Sequence, residues 1–197
     1  PSRTMGAAQK LYEAGFITYM RTDSTTMSAV AVKQILALIH KEYGSEYVTP
    51  RTYKTKSKSA QEAHEAVRPS NFAKRSAGTT DDQKKLYELI WERAVASQMA
   101  DAVVKRTKVS ANVTRSPEAI PDFVTNGSRV MFPGWLLADT RARGEDVEVP
   151  KLAIGDALDL VSLDHECKET QPPSRYTEAG LIKELEKRGI GRPSTYA

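Results

Sequence analysis

Tyr19, Arg21 and Asp23 stand two residues apart in the stretch GFITYMRTDSTT, Gly15 to Thr26. A phenol, whose pKa is ordinarily about 10, attacks at neutral pH only with help. A cation or a helix N-terminus must stabilise phenolate, or a base must take its proton. Arg21 supplies the cation, and a helix following the stretch would direct its positive end at the same place. The same pair suits a phosphoryl centre, because guanidinium and N–H groups hold the extra charge it gains under attack. Asp23 either orients Arg21 or caps the next helix. The competing role for Tyr19, flanked by Phe16, Ile17 and Met20, is core packing with its hydroxyl tied to a partner.

The elements around these residues can be read from spacing. TMGAAQKLYEAG reads as a short amphipathic helix stopped by Gly15. Asp23, Ser24 and Thr25 are N-cap candidates for a second helix, with Val32, Ile35, Leu36, Ile39 and Tyr43 as its apolar face and Gly44 as its end. Tyr19 is therefore expected between two helices, near the start of the second. In TPRTYKTKSKSAQEAHEAVRPS only SAQEAHEAV has helical character, and Pro69 discourages helix beyond it. TTDDQKKLYELIWERAVASQMAD opens on a capping box, Thr80 to Gln83. Its stripe of Leu86, Ile90 and Ala94 beside Tyr87, Trp91 and Val95 is expected to be buried.

From Val103 to Val113 the period drops to two, a strand signature. DFVTNGSRVMF, with Asn126-Gly127 between two β-rich runs, is a hairpin candidate, and IGDALDLVSL reads as a further strand entered by a turn at Gly155-Asp156. Pro172 and Pro173 then lead into RYTEAGLIKELEKRG, a helix capped by Thr177 and stopped by Gly189. The fold class is α+β: a mainly helical tyrosine-bearing domain over 1–102, a small antiparallel β-rich segment over 103–167, and a linker with the first helix of a further domain over 168–197.

Composition narrows the function class. With 40% hydrophobic and 27% charged residues the chain reads as ordinary globular protein. No apolar run approaches the roughly 20 residues of a membrane-spanning helix, and no signal peptide opens the chain, so a soluble intracellular protein is expected. One cysteine, Cys167, excludes an intrachain disulfide framework, and with three scattered histidines it gives no zinc spacing. Phosphate-binding glycine loops of the nucleotide-hydrolysing or dinucleotide kinds are absent from the sequence. The net charge of +4 is unevenly spread: Arg51, Lys54, Lys56, Lys58, Arg68, Lys74 and Arg75 face only Glu62 and Glu65. That cluster is either a polyanion-binding surface or a solvated lysine loop. The chain starts without methionine and stops on GRPSTYA, as a piece of a longer protein would.

GFITYMRTDST resembles the active-site motif of the bacterial type IA DNA topoisomerases. AQEAHEAVRPS, LYELIWERAVASQM and PPSRYTEAGLIKELEKRGIGRPSTYA resemble further motifs of that family in the family's order. The resemblance covers nearly the whole chain, most weakly from Thr114 to Leu152. It implies that Tyr19 is the nucleophile that becomes joined to a 5′ phosphate of one DNA strand, and that Arg21 positions and stabilises the scissile phosphate. His64 matches an active-site histidine in phosphate or proton contacts. It further implies DNA contacts by Asp23, Arg68, Arg175, Arg188, Arg192 and Ser194. The β-rich segment would be the returning arm of an arch, and residues 168–197 would enter the DNA-binding base domain. The implied substrates are single-stranded and negatively supercoiled DNA, the implied setting the bacterial cytoplasm and nucleoid. Resealing would need no ATP.

The family also uses magnesium, held by an acidic domain near its N-terminus. This chain has no D-x-D cluster, and Asp81-Asp82 suit a helix N-terminus rather than a metal pair. No cofactor is therefore expected within this piece, Mg2+ is expected for the full-length enzyme, and the piece alone is expected to be inactive. Strands lacking their partners could pair between copies into an artefactual dimer. Two alternatives remain at this level: a non-catalytic nucleic-acid-binding module with Tyr19 as a core or stacking residue, and a tyrosine recombinase or replication initiator.

Overall fold

A helix that sets one apolar stripe against its neighbours needs little else, since its backbone is satisfied internally. Three helices meet that requirement here: α1 (Ser2–Glu13), α2 (Ala29–Glu42) and α3 (Asp81–Ala96). Leu11 of α1, Ile35 and Ile39 of α2, and Tyr87, Trp91 and Val95 of α3 share one buried cluster with Ile17, Phe72 and Met99. The computed structural model describes residues 1–53, 65–114, 118, 120–192 and 194–196. The chain forms two units, the first made of Pro1–Asp101, Gly134–Arg143 and Arg175–Ala197, the second of Ala102–Pro133 and Gly144–Ser174. The fold is α+β, as expected.

Caps set the helix ends. After α1, Gly15 takes φ +72°, its N–H donates to the Tyr12 carbonyl at 2.8 Å, and the Phe16 N–H reaches back to Leu11 at 2.9 Å. This is a Schellman closure, which only a residue tolerant of left-handed backbone completes without strain. At α3, Thr80 accepts from the Gln83 N–H at 3.3 Å, as the capping box requires. The Gln83 side chain, however, accepts from the Thr79 N–H at 2.9 Å rather than from Thr80 itself. The expected cap of α2 is wrong: Ser28, not Asp23, Ser24 or Thr25, accepts from the Ala31 N–H at 3.4 Å. Residues 22–26 are tied up in two hydroxyl turns, Ser24 N–H to Thr22 and Thr26 N–H to Ser24, which hold the chain out of helix. Helix α2 thus starts at Ala29, further along the chain from Tyr19 than expected.

Three side chains fasten the loops of this unit through polar groups. Gln98, wholly buried, accepts the Arg51 N–H at 3.0 Å and donates to the Arg51 carbonyl at 3.1 Å, so its amide substitutes for a strand neighbour. Trp91 donates Nε1–H to the Phe72 carbonyl at 2.9 Å, and Tyr87 donates its hydroxyl to the Lys74 carbonyl at 2.8 Å. Burial pushes the Tyr87 phenol up. Segment Gly134–Arg143 belongs to the same unit: the Trp135 N–H donates to the Ala100 carbonyl, and buried Asp139 accepts from Arg93 at 3.0 Å. Helix α4 (Glu178–Lys187) is capped by Thr177, which accepts from the Gly180 N–H at 3.1 Å, and closes at Gly189 with φ +69°. Among the described residues no helix is long and apolar enough to cross a membrane.

The second unit holds strands β1 (Val103–Ala111) and β2 (Phe123–Phe132), antiparallel, with Thr107 opposite Gly127 and Lys108 opposite Asn126. The hairpin expected at Asn126-Gly127 does not form there; both residues lie inside β2. Gly127 serves a close approach instead of a turn: a Cβ on it would sit 2.8 Å from the Val147 carbonyl oxygen. Val147 and Ser128 exchange two backbone hydrogen bonds of 2.9 Å across that contact. The strand expected over IGDALDLVSL is also absent. Its entry turn is present, with the Ala153 N–H donating to the Asp156 carboxylate at 2.8 Å, but residues 157–163 pair with no described segment.

Candidate active site around Tyr19

The segment before Tyr19 is held by a short antiparallel bridge against residues 66–70. Ser70 donates its N–H to the Phe16 carbonyl and Thr18 donates its N–H to the Arg68 carbonyl, both at 2.9 Å, with Ile17 opposite Pro69. Pro69 has no N–H, yet none is wanted, since the flanking residues carry the pairing. The Thr18 hydroxyl completes the join: it donates to the Ala66 carbonyl at 2.8 Å and accepts the Arg68 N–H at 2.9 Å. Beyond Tyr19, the Ala66 N–H donates to the Thr26 carbonyl at 2.8 Å. The two motifs flanking the tyrosine are therefore one hydrogen-bonded unit.

Glu65 locks this unit to α2. One carboxylate oxygen accepts the Ser28 N–H at 2.8 Å at the start of that helix, and the other accepts Arg68 Nε–H at 2.9 Å. Burial works against the Glu65 charge, but donation from Ser28 and Arg68 outweighs it and holds the carboxyl below its ordinary range. The Arg68 guanidinium, committed to Glu65 and to the Pro69 carbonyl, acts here as a fastening.

Tyr19 emerges from this frame with its ring 37% exposed, meeting Tyr12 of α1 edge-to-face at a centroid distance of 5.3 Å and 72° between planes. Arg21 is exposed and among the described residues makes no ion pair, while Asp23 is half-buried. Among the described residues no salt bridge would have to break before the Arg21 guanidinium could meet a phosphodiester. His64 lies outside the described residues. Toward the end of the chain Arg175, Arg192 and Ser194 are exposed, and Arg188 donates to Glu184 at 2.7 Å. No described hydrogen bond or ion pair joins those four to residues 15–28.

Of the basic cluster between Arg51 and Arg75, the described members are occupied. Arg51 pairs with Asp101 at 2.9 Å, Arg68 with Glu65, and Arg75 with Glu42 while lying over the Trp91 ring; Lys74 lies 4.4 Å over Phe16. Lys54, Lys56 and Lys58 fall outside the described residues. Among the described residues no three His, Cys, Asp or Glu side chains converge as a metal site needs. Asp82 accepts from Arg3 Nε–H at 2.6 Å and Nη2–H at 2.8 Å, which holds its carboxyl low. The described residues do not fit a divalent ion. Sequence reasoning missed Tyr12, Thr18, Ser28 and Glu65; the one local signal was the Glu65–Arg68 spacing of three.

A profile for DNA topoisomerase matches residues 1–197. DNA topoisomerase 1 of Streptomyces coelicolor is 49% identical over 98% of this chain and 22% of its own length, and that of Vibrio cholerae 48% identical over 99% and 22%. The full-length topoisomerase I structure from Thermotoga maritima is similar with a TM-score of 0.83 at 37% identity, over 100% of this chain and 33% of that one. This chain spans about a fifth of the length of the curated relatives. On that full-length profile match and those identities, the chain belongs to the bacterial type IA DNA topoisomerase family.

Proposed function

We propose that this chain is the tyrosine-bearing part of an enzyme that cuts one strand of DNA, passes a strand through the gap and reseals it, relaxing negative supercoils without ATP. Tyr19 Oη attacks a backbone phosphorus, the P–O3′ bond breaks, and the 3′ hydroxyl leaves with the proton. The phosphotyrosine retains the bond energy, so the reverse attack reseals the strand. Arg21 stabilises the charge on the phosphorus. His64 takes part in phosphate or proton contacts, and Asp23 and Arg68 contact the DNA strand. Arg175, Arg188, Arg192 and Ser194 carry contacts to single-stranded DNA. Residues 1–102 act as the gate domain, 103–167 as an arm of an arch, and 168–197 as the entry to the base domain. Magnesium belongs to carboxylates elsewhere in the parent, so this piece alone neither cleaves nor relaxes DNA. The parent works in the bacterial cytoplasm, on the nucleoid.

The observation that supports this reading is an exposed tyrosine two residues from an arginine that makes no ion pair among the described residues, on a segment hydrogen-bonded to residues 66–70. The test is a covalent trap on the full-length parent: incubation with negatively supercoiled plasmid and magnesium, denaturation, nuclease digestion, and mass spectrometry of the nucleotide-bearing peptide. The expected adduct maps to Tyr19 and vanishes in Tyr19→Phe. An intact parent that relaxes DNA with no adduct on Tyr19 would overturn the assignment. Magnesium-dependent relaxation by the isolated 197-residue chain would overturn the claim that it is inactive alone.

A further inference from the structure

A phenol is a nucleophile in one direction only, along the bond its oxygen forms, and Tyr19 has two side-chain torsions with which to miss. The strand bonds of Thr18 fix the backbone but not those torsions. Among the described aromatic contacts, Tyr12 meets that ring edge-to-face at 5.3 Å. We infer that Tyr12 is a positioning residue for Tyr19, its ring restricting the orientation in which the nucleophile's hydroxyl is presented. This rests on the reading of Tyr19 as the nucleophile.

Three features make Tyr12 suited to that work. It sits in the last turn of α1, beside wholly buried Leu11, so its backbone is anchored in the core. The Schellman closure, Gly15 N–H to Tyr12 and Phe16 N–H to Leu11, fixes the path from one tyrosine to the other through backbone atoms alone. Tyr12 itself is 42% exposed, so the core does not require its ring. The ring it meets is the one at the proposed reacting position. Edge-to-face contact sets the positive edge of one ring on the negative face of the other, which favours some mutual orientations over others.

The chemistry of the contact separates ring from hydroxyl. In the full-length parent, Tyr12→Phe keeps the ring and is expected to cleave a labelled single-stranded oligonucleotide at the unsubstituted rate. Tyr12→Ala removes the ring and is expected to slow single-turnover cleavage roughly 2- to 10-fold, the range an aromatic pair supplies. Oligonucleotide affinity, read by anisotropy without magnesium, is expected to change less than about 2-fold, because positioning acts on the reacting geometry and not on binding. Three outcomes would overturn the inference: an unchanged rate in Tyr12→Ala, equal losses in Tyr12→Phe and Tyr12→Ala, or a loss confined to affinity, which would make Tyr12 a base-stacking surface instead. Loss of helical circular dichroism in Tyr12→Ala would prompt Tyr12→Leu as the variant read. Failure of the underlying reading looks different: the unsubstituted parent would then give no adduct on Tyr19, whatever stands at position 12.

Discussion

In the helical unit Leu11, Ile35 and Trp91 lie almost wholly out of water, whereas in the β unit Ile154, Leu160 and Val161 stand almost wholly in it. The residue types are similar; the difference is in what each element demands of its neighbours. A helix closes its own hydrogen bonds and asks only for an apolar surface, which α1, α2 and α3 give one another. A strand must find both a backbone partner and a covering layer. β1 and β2 find the first in each other, and residues 157–163 find neither among the described residues. Stability in the helical unit should therefore respond strongly to single truncations, while the β unit should respond to changes in pairing.

The widest separation is expected between Trp91→Ala and Val161→Ala. Trp91 fills the core, donates to Phe72 and supports the Arg75 guanidinium above it, so its loss should cost about 3–5 kcal/mol. Val161 is 97% exposed, and its truncation should stay within about 0.5 kcal/mol. Urea denaturation followed by helical circular dichroism measures both. Comparable losses would mean that the β unit has a core that these contacts do not contain.

Next comes Glu65→Gln, which tests the lock between the tyrosine's frame and α2. The neutral amide can still accept from Ser28 but gives up the charge facing Arg68, whose side chain is only 15% exposed. The expected loss is about 1.5–3 kcal/mol, the range for a hydrogen bond to a charged group. Its pH dependence has a definite sign. The folded carboxyl titrates below its ordinary 4.5, so the stabilisation is complete above that value and disappears as pH falls through the lowered one. The difference between parent and variant should thus be steady near neutrality and close in acid. A gap that widened in acid would contradict the assigned pairing.

Legibility divided along the same line. The closures of α1, α3 and α4 could be read because Gly15, Thr80, Thr177 and Gly189 act on backbone groups within a few residues. Asn126-Gly127 misled because a hairpin signal and a close-packing glycine look identical in sequence, and only Val147, twenty residues on, decides between them. The cap of α2 misled for a nearer reason: Thr22 and Ser24 spend their hydroxyls on turns, leaving Ser28 to start the helix. At the candidate site, Tyr19 and Arg21 are proposed from their type and spacing. Thr18 and Glu65 were not, because their partners lie 37 to 50 residues away.

Gly127→Ala probes that close approach directly. The added carbon would meet the Val147 carbonyl at 2.8 Å and the Val149 side chain at 2.9 Å, so residues 145–149 must withdraw from β2. The cost should be modest, about 1 kcal/mol for the two backbone bonds it weakens, and confined to faster amide exchange at Ser128 and Val147. Faster exchange across β1 as well would show that the three segments form one cooperative sheet.

The smallest effect is expected at the free side of β1. That strand pairs along one side only among the described residues, which leaves a row of N–H and C=O groups able to join a second copy. Lys105, Arg106 and Lys108 oppose such pairing, because two antiparallel edges would bring their charges together at close range. Self-association of this chain should accordingly be weak, visible by light scattering only at high concentration, and should rise with added salt as the repulsion is screened. Replacing Lys105 and Lys108 with threonine should strengthen it with little change in the unfolding midpoint of the helical unit. If the double variant stayed as monomeric as the parent chain, edge pairing would be the wrong account of any dimer, and the exposed apolar run at 158–163 would be the next surface to alter.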